Sequence, residues 1–338
     1  MRDRPRSPRL LAQLVLATSF AATVLAVPFL AASQSASKVY RVGHLGAGGR
    51  TPDGAPPRAL REGLRELGYV DGQSIAYHAR FAETKWDRLP GLAAELVQLK
   101  VDVIVAQGGP ATVAAKQATS TIPIVMAPAA GDAVAIGYIK SLARPGGNVT
   151  GLSDESVLLS AKRMELLKEA IPKAARIAVL WNTKDEGMTL RSREIEKAAR
   201  SLRVEVHAIG VSGLEDFDAA FDTLVRQRPD AIFLVADPLT TMNRKRFIDF
   251  AAAHRIPAMY EADFIVREGG LMSYGYRTDE SFRQAARYVD RILKGARPAD
   301  LPAQQPTTYY LTVNLKTAAT LGLGIPPSLQ LRANEVIE

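Results

Sequence analysis

The sequence predicts an α/β protein with two lobes, each a doubly wound parallel sheet, joined by a hinge that the chain crosses three times. From residue 38 onwards, short apolar runs alternate with amphipathic stretches, a pattern typical of parallel strands covered by helices on both faces. The alternation stops at the turn sequence PGG of residues 145–147 and then begins again, which indicates two sheets. One helix and one strand remain near the C-terminus, so we expect the chain to revisit the first lobe and end in the second.

Each element of the first lobe follows from its apolar periodicity. The run VDVIVA at residues 101–106 is almost continuously apolar, as expected for a strand buried on both faces. Leu60, Leu64 and Leu67 recur at helical spacing and predict a helix. The predicted strands of this lobe are residues 39–45, 74–81, 101–106 and 123–127, and its predicted helices are residues 59–67, 89–99, 111–119 and 136–143.

The second lobe repeats the same succession of strands and helices. Its predicted strands are residues 176–181, 205–211, 231–236, 257–260 and 270–274, and its predicted helices are residues 158–170, 190–202, 217–227 and 243–254. The last elements are a helix at 282–293, a strand at 309–314 and a helix at 315–321. These elements assign residues 39–152 and 277–306 to the first lobe, and residues 153–276 and 307–338 to the second.

Residues 1–35 have the order of a secretory signal peptide. Four arginines open the chain, an apolar run covers residues 10–30, and small residues follow at 31–36. An uncleaved membrane anchor is the alternative, but several polar residues and Pro28 interrupt the run. We expect cleavage after Ser33 or Ser35, export to the periplasm, and no stable membrane insertion afterwards. Because the chain has no cysteine, we do not expect a lipoprotein anchor.

Charge and composition exclude several classes of partner. The formal charge of +8 is spread over segments that also carry Glu and Asp, without a basic stripe interleaved with aromatic residues, so nucleic acid is not an expected partner. The glycine-rich loop at residues 46–50 is followed by prolines rather than by a helix, which argues against a dinucleotide cofactor. We expect no cofactor and no metal, since the chain has no cysteine and its four histidines show no metal-ligand spacing: His44, His78, His207 and His254.

Six segments of the chain resemble one known family. They are REGLRELGYVDGQSI (61–75), LPGLAAELVQLKVDVIVA (89–106), SLARPGGNVTGLS (141–153), GGLMSYG (269–275), YVDRILKGARPADLPAQQPT (288–307) and LRANEVIE (331–338). The sequence is similar to the ABC-transporter substrate-binding family that includes periplasmic tryptophan- and tyrosine-binding proteins. This resemblance covers essentially the whole chain after residue 38. It implies a type I periplasmic-binding-protein fold, a small-molecule ligand in the cleft between the lobes, and an ABC permease with its ATPase as partners.

Three loops of the first lobe are candidates for the binding site, because open α/β sheets bind ligands beyond the carboxyl ends of their strands. Gly109, Pro110 and Ala111 begin a predicted helix, whose free N–H groups favour a carboxylate or phosphate. The alternative is an ordinary strand-to-helix turn. Arg50 either meets an anionic ligand or belongs to a flexible loop. Asp132 either caps the next helix or holds a ligand ammonium group.

Four residues of the second lobe complete the predicted site. Asn182 follows a strand and offers both a donor and an acceptor. Asp237 follows a buried run and precedes proline, so it either caps the next turn or faces the cleft, where it is our expected acceptor for an ammonium group. Tyr260, directly before Glu261, stands where another strand ends. Tyr274 ends a strand at a predicted crossing and forms either an aromatic wall for the ligand or part of the hinge packing.

The sequence favours a binding protein over an enzyme. It contains no G-x-S-x-G elbow, phosphate-binding loop or H-E-x-x-H helix. By resemblance the expected ligand is an aromatic or branched amino acid, and a small organic anion is the second choice. Two other functions stay open: a chemosensory or regulatory protein that uses the same cleft, and a hydrolase or transferase with two lobes.

Overall fold

A computed structural model describes residues 38–127, 131–153 and 156–338, leaving out the side chains of 156–158. Its strands are β1 (Tyr40–Gly46), β2 (Ile75–Phe81), β3 (Val103–Gln107), β4 (Ile124–Met126), β5 (Val149–Gly151), β6 (Arg176–Asn182), β7 (Glu205–Val211), β8 (Ala231–Leu234), β9 (Ala258–Tyr260), β10 (Met272–Gly275), β11 (Tyr310–Asn314) and β12 (Glu335–Ile337). Its α-helices are α1 (Arg58–Glu66), α2 (Leu89–Gln98), α3 (Gly109–Ala118), α4 (Ser156–Ala170), α5 (Glu186–Ser201), α6 (Asp216–Gln227), α7 (Pro238–Met242), α8 (Arg244–Ala253), α9 (Asp263–Arg267), α10 (Thr278–Leu293), α11 (Leu315–Thr320) and α12 (Pro327–Arg332).

The first lobe is built on a five-stranded parallel sheet in the order β2-β1-β3-β4-β5. Successive residues of a strand point to opposite faces, so the apolar run in β3 supplies two cores at once. Ile104 packs with Leu96 of α2 on one face, and Val105 packs with Leu60 of α1 on the other. This two-sided burial is the doubly wound arrangement that the sequence predicts.

The second lobe is built on a seven-stranded sheet in the order β12-β11-β10-β9-β8-β6-β7. β6 to β10 are parallel, which confirms the predicted fold class, whereas β11 runs antiparallel to β10. The register pairs Tyr310, the first residue of β11, with Gly275, the last residue of β10. The chain therefore re-enters this sheet from the hinge edge, and β11 and the parallel strand β12 run opposite to the rest.

The chain passes between the two sheets in three places. It leaves the first sheet after β5, returns after β10 to place α10 on the first lobe, and crosses again before β11. Gly63 lets α10 approach α1 closely, because a Cβ at this position would lie only 2.9 Å from the Cβ of Ala286. The first and third crossings run side by side, with the Ser153 N–H donating to the Gln304 carbonyl at 2.9 Å. The residue ranges that the sequence assigns to the two lobes stay predictions.

The helix predicted over residues 136–143 is wrong. The structure has turns at 133–137, and Gly137 adopts a φ of +82°, which cannot continue a right-handed helix. Tyr138 and Ile139 are buried in the first-lobe core instead. Five short elements of three to six residues were also not predicted, since they are too short to show a period: β5, α7, α9, α12 and β12.

Across residues 38–127, 131–153 and 156–338, no helix is both long and apolar enough to cross a membrane. The predicted leader, residues 1–35, lies outside the described residues.

Candidate functional site

The carboxyl ends of the strands in both lobes face a central cavity of about 190 Å³. From the first lobe come the loops that follow β1 and β3. From the second come the loops that follow β8 and β9, together with two helical arginines. The lining residues are Gly48, Gly49, Gln107, Gly108, Arg163, Arg191, Ala236, Asp237, Pro238, Thr241, Met242, Glu261, Ala262, Phe264, Tyr276 and Thr278.

A buried ionic group forms one wall of the central cavity. Glu261, directly after β9, lies between Arg163 of α4 and Arg191 of α5. Its Oε1 is 3.3 Å from Arg163 Nη1, and its Oε2 is 3.0 Å from Arg191 Nη1. All three side chains are at least nine-tenths buried. Buried charges need such partners, since an unpaired one loses its hydration without compensation.

Arg163 also connects the cavity to the hinge. Its Nε donates a hydrogen bond to the carbonyl of Tyr274 at 2.6 Å, next to the second crossing of the chain. Arg191 Nη1 donates to the carbonyl of Ala236 at 3.4 Å, in the loop after β8. The two arginines therefore hold two cavity loops and the end of β10 in place through backbone as well as side-chain contacts.

Asp237 both caps a helix and lines the central cavity, so the two interpretations of its sequence position are compatible. Its Oδ1 accepts from the Thr240 N–H at 2.7 Å at the start of α7, and the Thr240 hydroxyl accepts from the Asp237 N–H at 3.0 Å. Its Oδ2 accepts from Asn182 Nδ2 at 2.6 Å. Burial raises the pKa of this carboxyl, against the opposing effect of these hydrogen bonds. Both oxygens are thus engaged within the protein.

The remaining walls of the central cavity are largely apolar. Pro238 and Met242 of α7 face Ala262 and Phe264 after β9, and Tyr276 closes the hinge side. The cavity therefore presents a charged wall and an apolar surface to a small molecule that carries both kinds of group.

A second cavity of about 320 Å³ lies between helix α3 of the first lobe and the loop after β6 of the second. We call it the lateral cavity. Asp185 caps α5 here, with its Oδ1 accepting from the Gly187 N–H at 2.9 Å. The lining residues are Trp86, Leu89, Pro90, Gly109, Pro110, Val113, Ala114, Gln117, Ile136, Tyr138, Lys184, Asp185, Glu186 and Gly187.

Glycines let the two lobes meet at the rim of the cleft. A Cβ at Gly108 would lie 3.3 Å from Pro238 Cγ, and one at Gly187 would lie 3.2 Å from Ile136 Cδ1. Such distances are tighter than ordinary van der Waals contacts, so larger residues would separate the lobes. The two lobes are therefore in contact at this rim of the cleft.

Five of the nine predicted site residues lie at or beside these cavities. Asp237 lines the central cavity, and Gly109 and Pro110 line the lateral one. Asn182 lines a neighbouring space of about 420 Å³ and contributes through its bond to Asp237. Asp132 lies at the rim, where its Oδ1 caps a turn by accepting two backbone N–H groups at 3.0 Å.

The structure does not bring the other four predicted residues to the walls of these cavities. The side chains of Ala111 and Tyr260 are fully buried in the two lobe cores, because strand and helix alternation turns them away from the cleft. Arg50 is exposed and folds back over Gly54. Tyr274 packs against Tyr309 at a ring distance of 6.1 Å, which is the hinge-packing alternative.

Sequence reasoning missed the two arginines. Arg163 falls on the buried stripe of α4 together with Leu159 and Leu167, and Arg191 falls beside Met188 and Ile195 on α5. A charged residue at a core position of an amphipathic helix is the signal that points to a buried ionic site. Among the described residues, no group of three or more His, Cys, Asp or Glu side chains could hold a metal ion.

Comparison with known proteins agrees with this two-lobed architecture. Residues 57–337 match the family described as ABC transporter substrate binding protein. The tyrosine-binding protein of Clostridioides difficile (strain R20291) is 29% identical over 260 residues, which cover 77% of this chain and 74% of that protein.

Two solved structures are similar over nearly their full length. A conserved domain protein from Vibrio cholerae has a TM-score of 0.83 and 26% identity, covering 88% of this chain and 100% of that one. An ABC domain in complex with L-Trp from Streptococcus pneumonia has a TM-score of 0.81 and 24% identity, covering 89% and 100%. The second of these likenesses bears on the fold alone.

Proposed function

Because the chain belongs to the ABC transporter substrate-binding protein family, we propose that it captures an amino acid between its lobes and delivers it to an importer. Membership of this family implies a small-molecule ligand and a permease partner. An ATPase that drives the permease and export of this chain to the periplasm are parts of the proposal. The observation that carries it is the central cavity, where residues of both lobes surround a space with one charged and one apolar side.

The chemistry of the cleft supports an amino acid with an apolar or aromatic side chain. Met242, Phe264 and Tyr276 offer the surface on which such a side chain would pack. A cleft shielded from water would strengthen the attraction between the charged groups of a zwitterion and buried charged side chains of the lobes. The tyrosine-binding relative described above points to the same class of ligand.

Export through a cleaved leader is supported by the basic start, the apolar run and the small residues of the first 36 positions. One experiment tests both export and ligand. The full chain is expressed with its leader, the periplasmic fraction is collected, and the protein is weighed by intact and native mass spectrometry. We expect the mass of a chain that begins at Gln34 or Ala36, together with a bound species that has the mass of an amino acid. A protein retained in membranes with Met1 in place would refute the export proposal.

Binding itself is measured by calorimetry with L-tyrosine and L-tryptophan, and with a panel of sugars and carboxylic acids. We expect saturable binding of an amino acid and none of the sugars. Tight binding of a sugar alone would contradict an amino-acid ligand while leaving the solute-binding role intact.

Closure of the cleft on the ligand gives a further prediction, for Gly48→Leu. A Cβ at Gly48 makes an ordinary 3.5 Å contact with Pro238, but the rest of a leucine side chain would wedge the lobes apart. We expect affinity for the amino acid identified by calorimetry to fall about tenfold or more. This corresponds to an overpacking cost of about 1–3 kcal/mol in the closed state only. Small-angle scattering should show a larger radius of gyration at saturation than in the wild type.

The matched control is Gly324→Leu, since a Cβ at Gly324 meets no atom within 4 Å. This variant should close and bind as the wild type does. Wild-type affinity in Gly48→Leu would mean that binding does not require the lobes to meet at this rim.

A further inference from the structure

The two carboxyl oxygens of Asp185 differ in their hydrogen bonding. Its Oδ1 accepts from the N–H groups of Gly187 at 2.9 Å and Met188 at 3.4 Å. Its Oδ2 is buried and has no hydrogen-bond partner in the part of the chain that the structure describes. The whole residue is only 6% exposed. A buried acceptor without a partner is uncommon in native proteins and marks a place where a group from outside can bind.

The environment of Asp185 disfavours the ionised form of its carboxyl group. Burial and the nearby Asp237 carboxyl raise the pKa of Asp185 to about 6, although Arg191 and the two N–H groups act in the opposite direction. A cation placed beside Oδ2 would relieve this penalty, because it favours the ionised form of the carboxyl group.

The lateral cavity around Asp185 suits an amino group. Tyr138 supplies an aromatic ring from the first lobe, and the exposed carboxylate of Glu186 adds negative charge from the second. The Tyr138 hydroxyl is occupied as a donor to the Gly109 carbonyl at 3.3 Å, so its ring face is what it offers to a cation. Lys184 also lines this cavity, but its side chain is exposed, which leaves its charge in water.

We propose that Asp185 is the acceptor for the primary ammonium group of the bound ligand, in the lateral cavity between the lobes. The proposal rests on the function proposed above and replaces Asp237 in that role. Asp237 already accepts from the Thr240 N–H and from Asn182 Nδ2. An ammonium group held by Asp185 in the second lobe and facing Tyr138 in the first would contact both lobes and so favour the closed state.

Trp86 adds a complementary donor to the same cavity. Its indole N–H is buried and has no acceptor among the described residues. An α-amino acid carries a carboxylate next to its ammonium group, so one ligand can satisfy both a donor and an acceptor here. This pairing selects amino acids over simple amines.

The pH dependence of binding follows from the groups that face Asp185. These are Arg191 and Asp237 in its own lobe, Tyr138 in the first lobe, and its chain neighbours Lys184 and Glu186. Binding of a cation lowers the pKa of Asp185, so ligand and proton compete. We expect affinity to be constant above a pH of about 6 and to fall below it as the carboxyl takes up its proton.

The test compares L-tyrosine, tyramine and 3-(4-hydroxyphenyl)propionate by calorimetry between pH 5 and 8. Tyramine keeps the amine without the carboxylate, and the propionate keeps the carboxylate without the amine. The wild type should bind L-tyrosine best and the propionate least. In Asp185→Asn, affinity for L-tyrosine at neutral pH should fall about 30-fold or more, and the loss of affinity below pH 6 should disappear.

Asparagine caps a helix about as well as aspartate, so the variant should keep its fold. The matched control is Asp230→Asn. Asp230 accepts from the Ala175 and Arg176 N–H groups at the amino ends of β6 and β8, the end of the sheet away from the cleft. This control should bind L-tyrosine with wild-type affinity and pH profile.

The outcomes separate this proposal from the one on which it rests. Unchanged L-tyrosine affinity in Asp185→Asn overturns the role of Asp185 and leaves an amino-acid ligand in place. Equal wild-type affinity for the propionate and L-tyrosine overturns recognition of an amine. If none of the three probes binds, the amine site is refuted, and only a species retained in native mass spectrometry would keep the cleft as a binding site.

Discussion

Replacing Glu261 with glutamine is expected to lower the free energy of unfolding by about 3–5 kcal/mol. The change keeps the shape of the side chain and removes its charge. Arg163 and Arg191, both nearly inaccessible to water, would then share no carboxylate at this position. Removing one partner of a buried ionic group costs more than the group contributes when intact, because the remaining charges stay desolvated.

Urea unfolding of the ligand-free protein at pH 7 measures this effect. The control is Glu268→Gln, since Glu268 accepts two hydrogen bonds from Arg244 at 2.8 Å on the surface, where the two side chains are 43% and 32% exposed. An exposed pair of this kind contributes about 0–1 kcal/mol, so the control should change little. Equal losses in the two variants would show that the buried group has no special importance for stability.

Gly275→Ala should have the second largest effect. A Cβ at Gly275 would lie 2.0 Å from the carbonyl oxygen of Glu261, and a backbone atom cannot move aside as a side-chain end can. The end of β10 would have to shift away from the loop after β9, which carries the ionic wall of the central cavity. We expect a loss near the upper end of the range of about 1–3 kcal/mol that overpacking costs, together with weaker ligand binding.

The same urea titration tests this prediction, with Gly147→Ala as control, because a Cβ at Gly147 meets no atom within 4 Å. Crystallography or scattering of Gly275→Ala should also show a displaced hinge. A variant as stable as the control would indicate that the hinge strand adapts to the methyl group at little cost.

Some elements were predictable because their signals are local. The run at residues 101–106 is apolar at every position except Asp102, so it indicates a strand within a two-sided sheet, and β3 is such a strand. The strand predicted at residues 205–211 is β7. The helix predicted at 136–143 failed because its apolar spacing is helical while the backbone at Gly137 is not, and φ at a glycine is not visible in a hydrophobic pattern.

The sequence led to loops that surround the cleft, but it did not identify which side chains line the cavities. The rule that ligands lie beyond the carboxyl ends of parallel strands led to the loops of Gly109, Asn182 and Asp237, which the structure places around the cleft. The same rule cannot distinguish a side chain that faces the cleft from one that faces the core. Tyr260 ends β9 and Ala111 lies in the first turn of α3 after β3, yet their side chains are buried in the lobes.

By itself the sequence determined the two α/β lobes, the returning helix and the family, because each depends on short-range periodicity or on contiguous segments. Only the tertiary structure decided that Arg163, Arg191 and Glu261 form one ionic group and that Asp185 keeps an unused oxygen. These residues come from α4, α5 and the loops after β6 and β9, far apart along the chain. Periodicity tells which face of a helix is buried, whereas the neighbour it meets depends on how every intervening strand is ordered in the sheet.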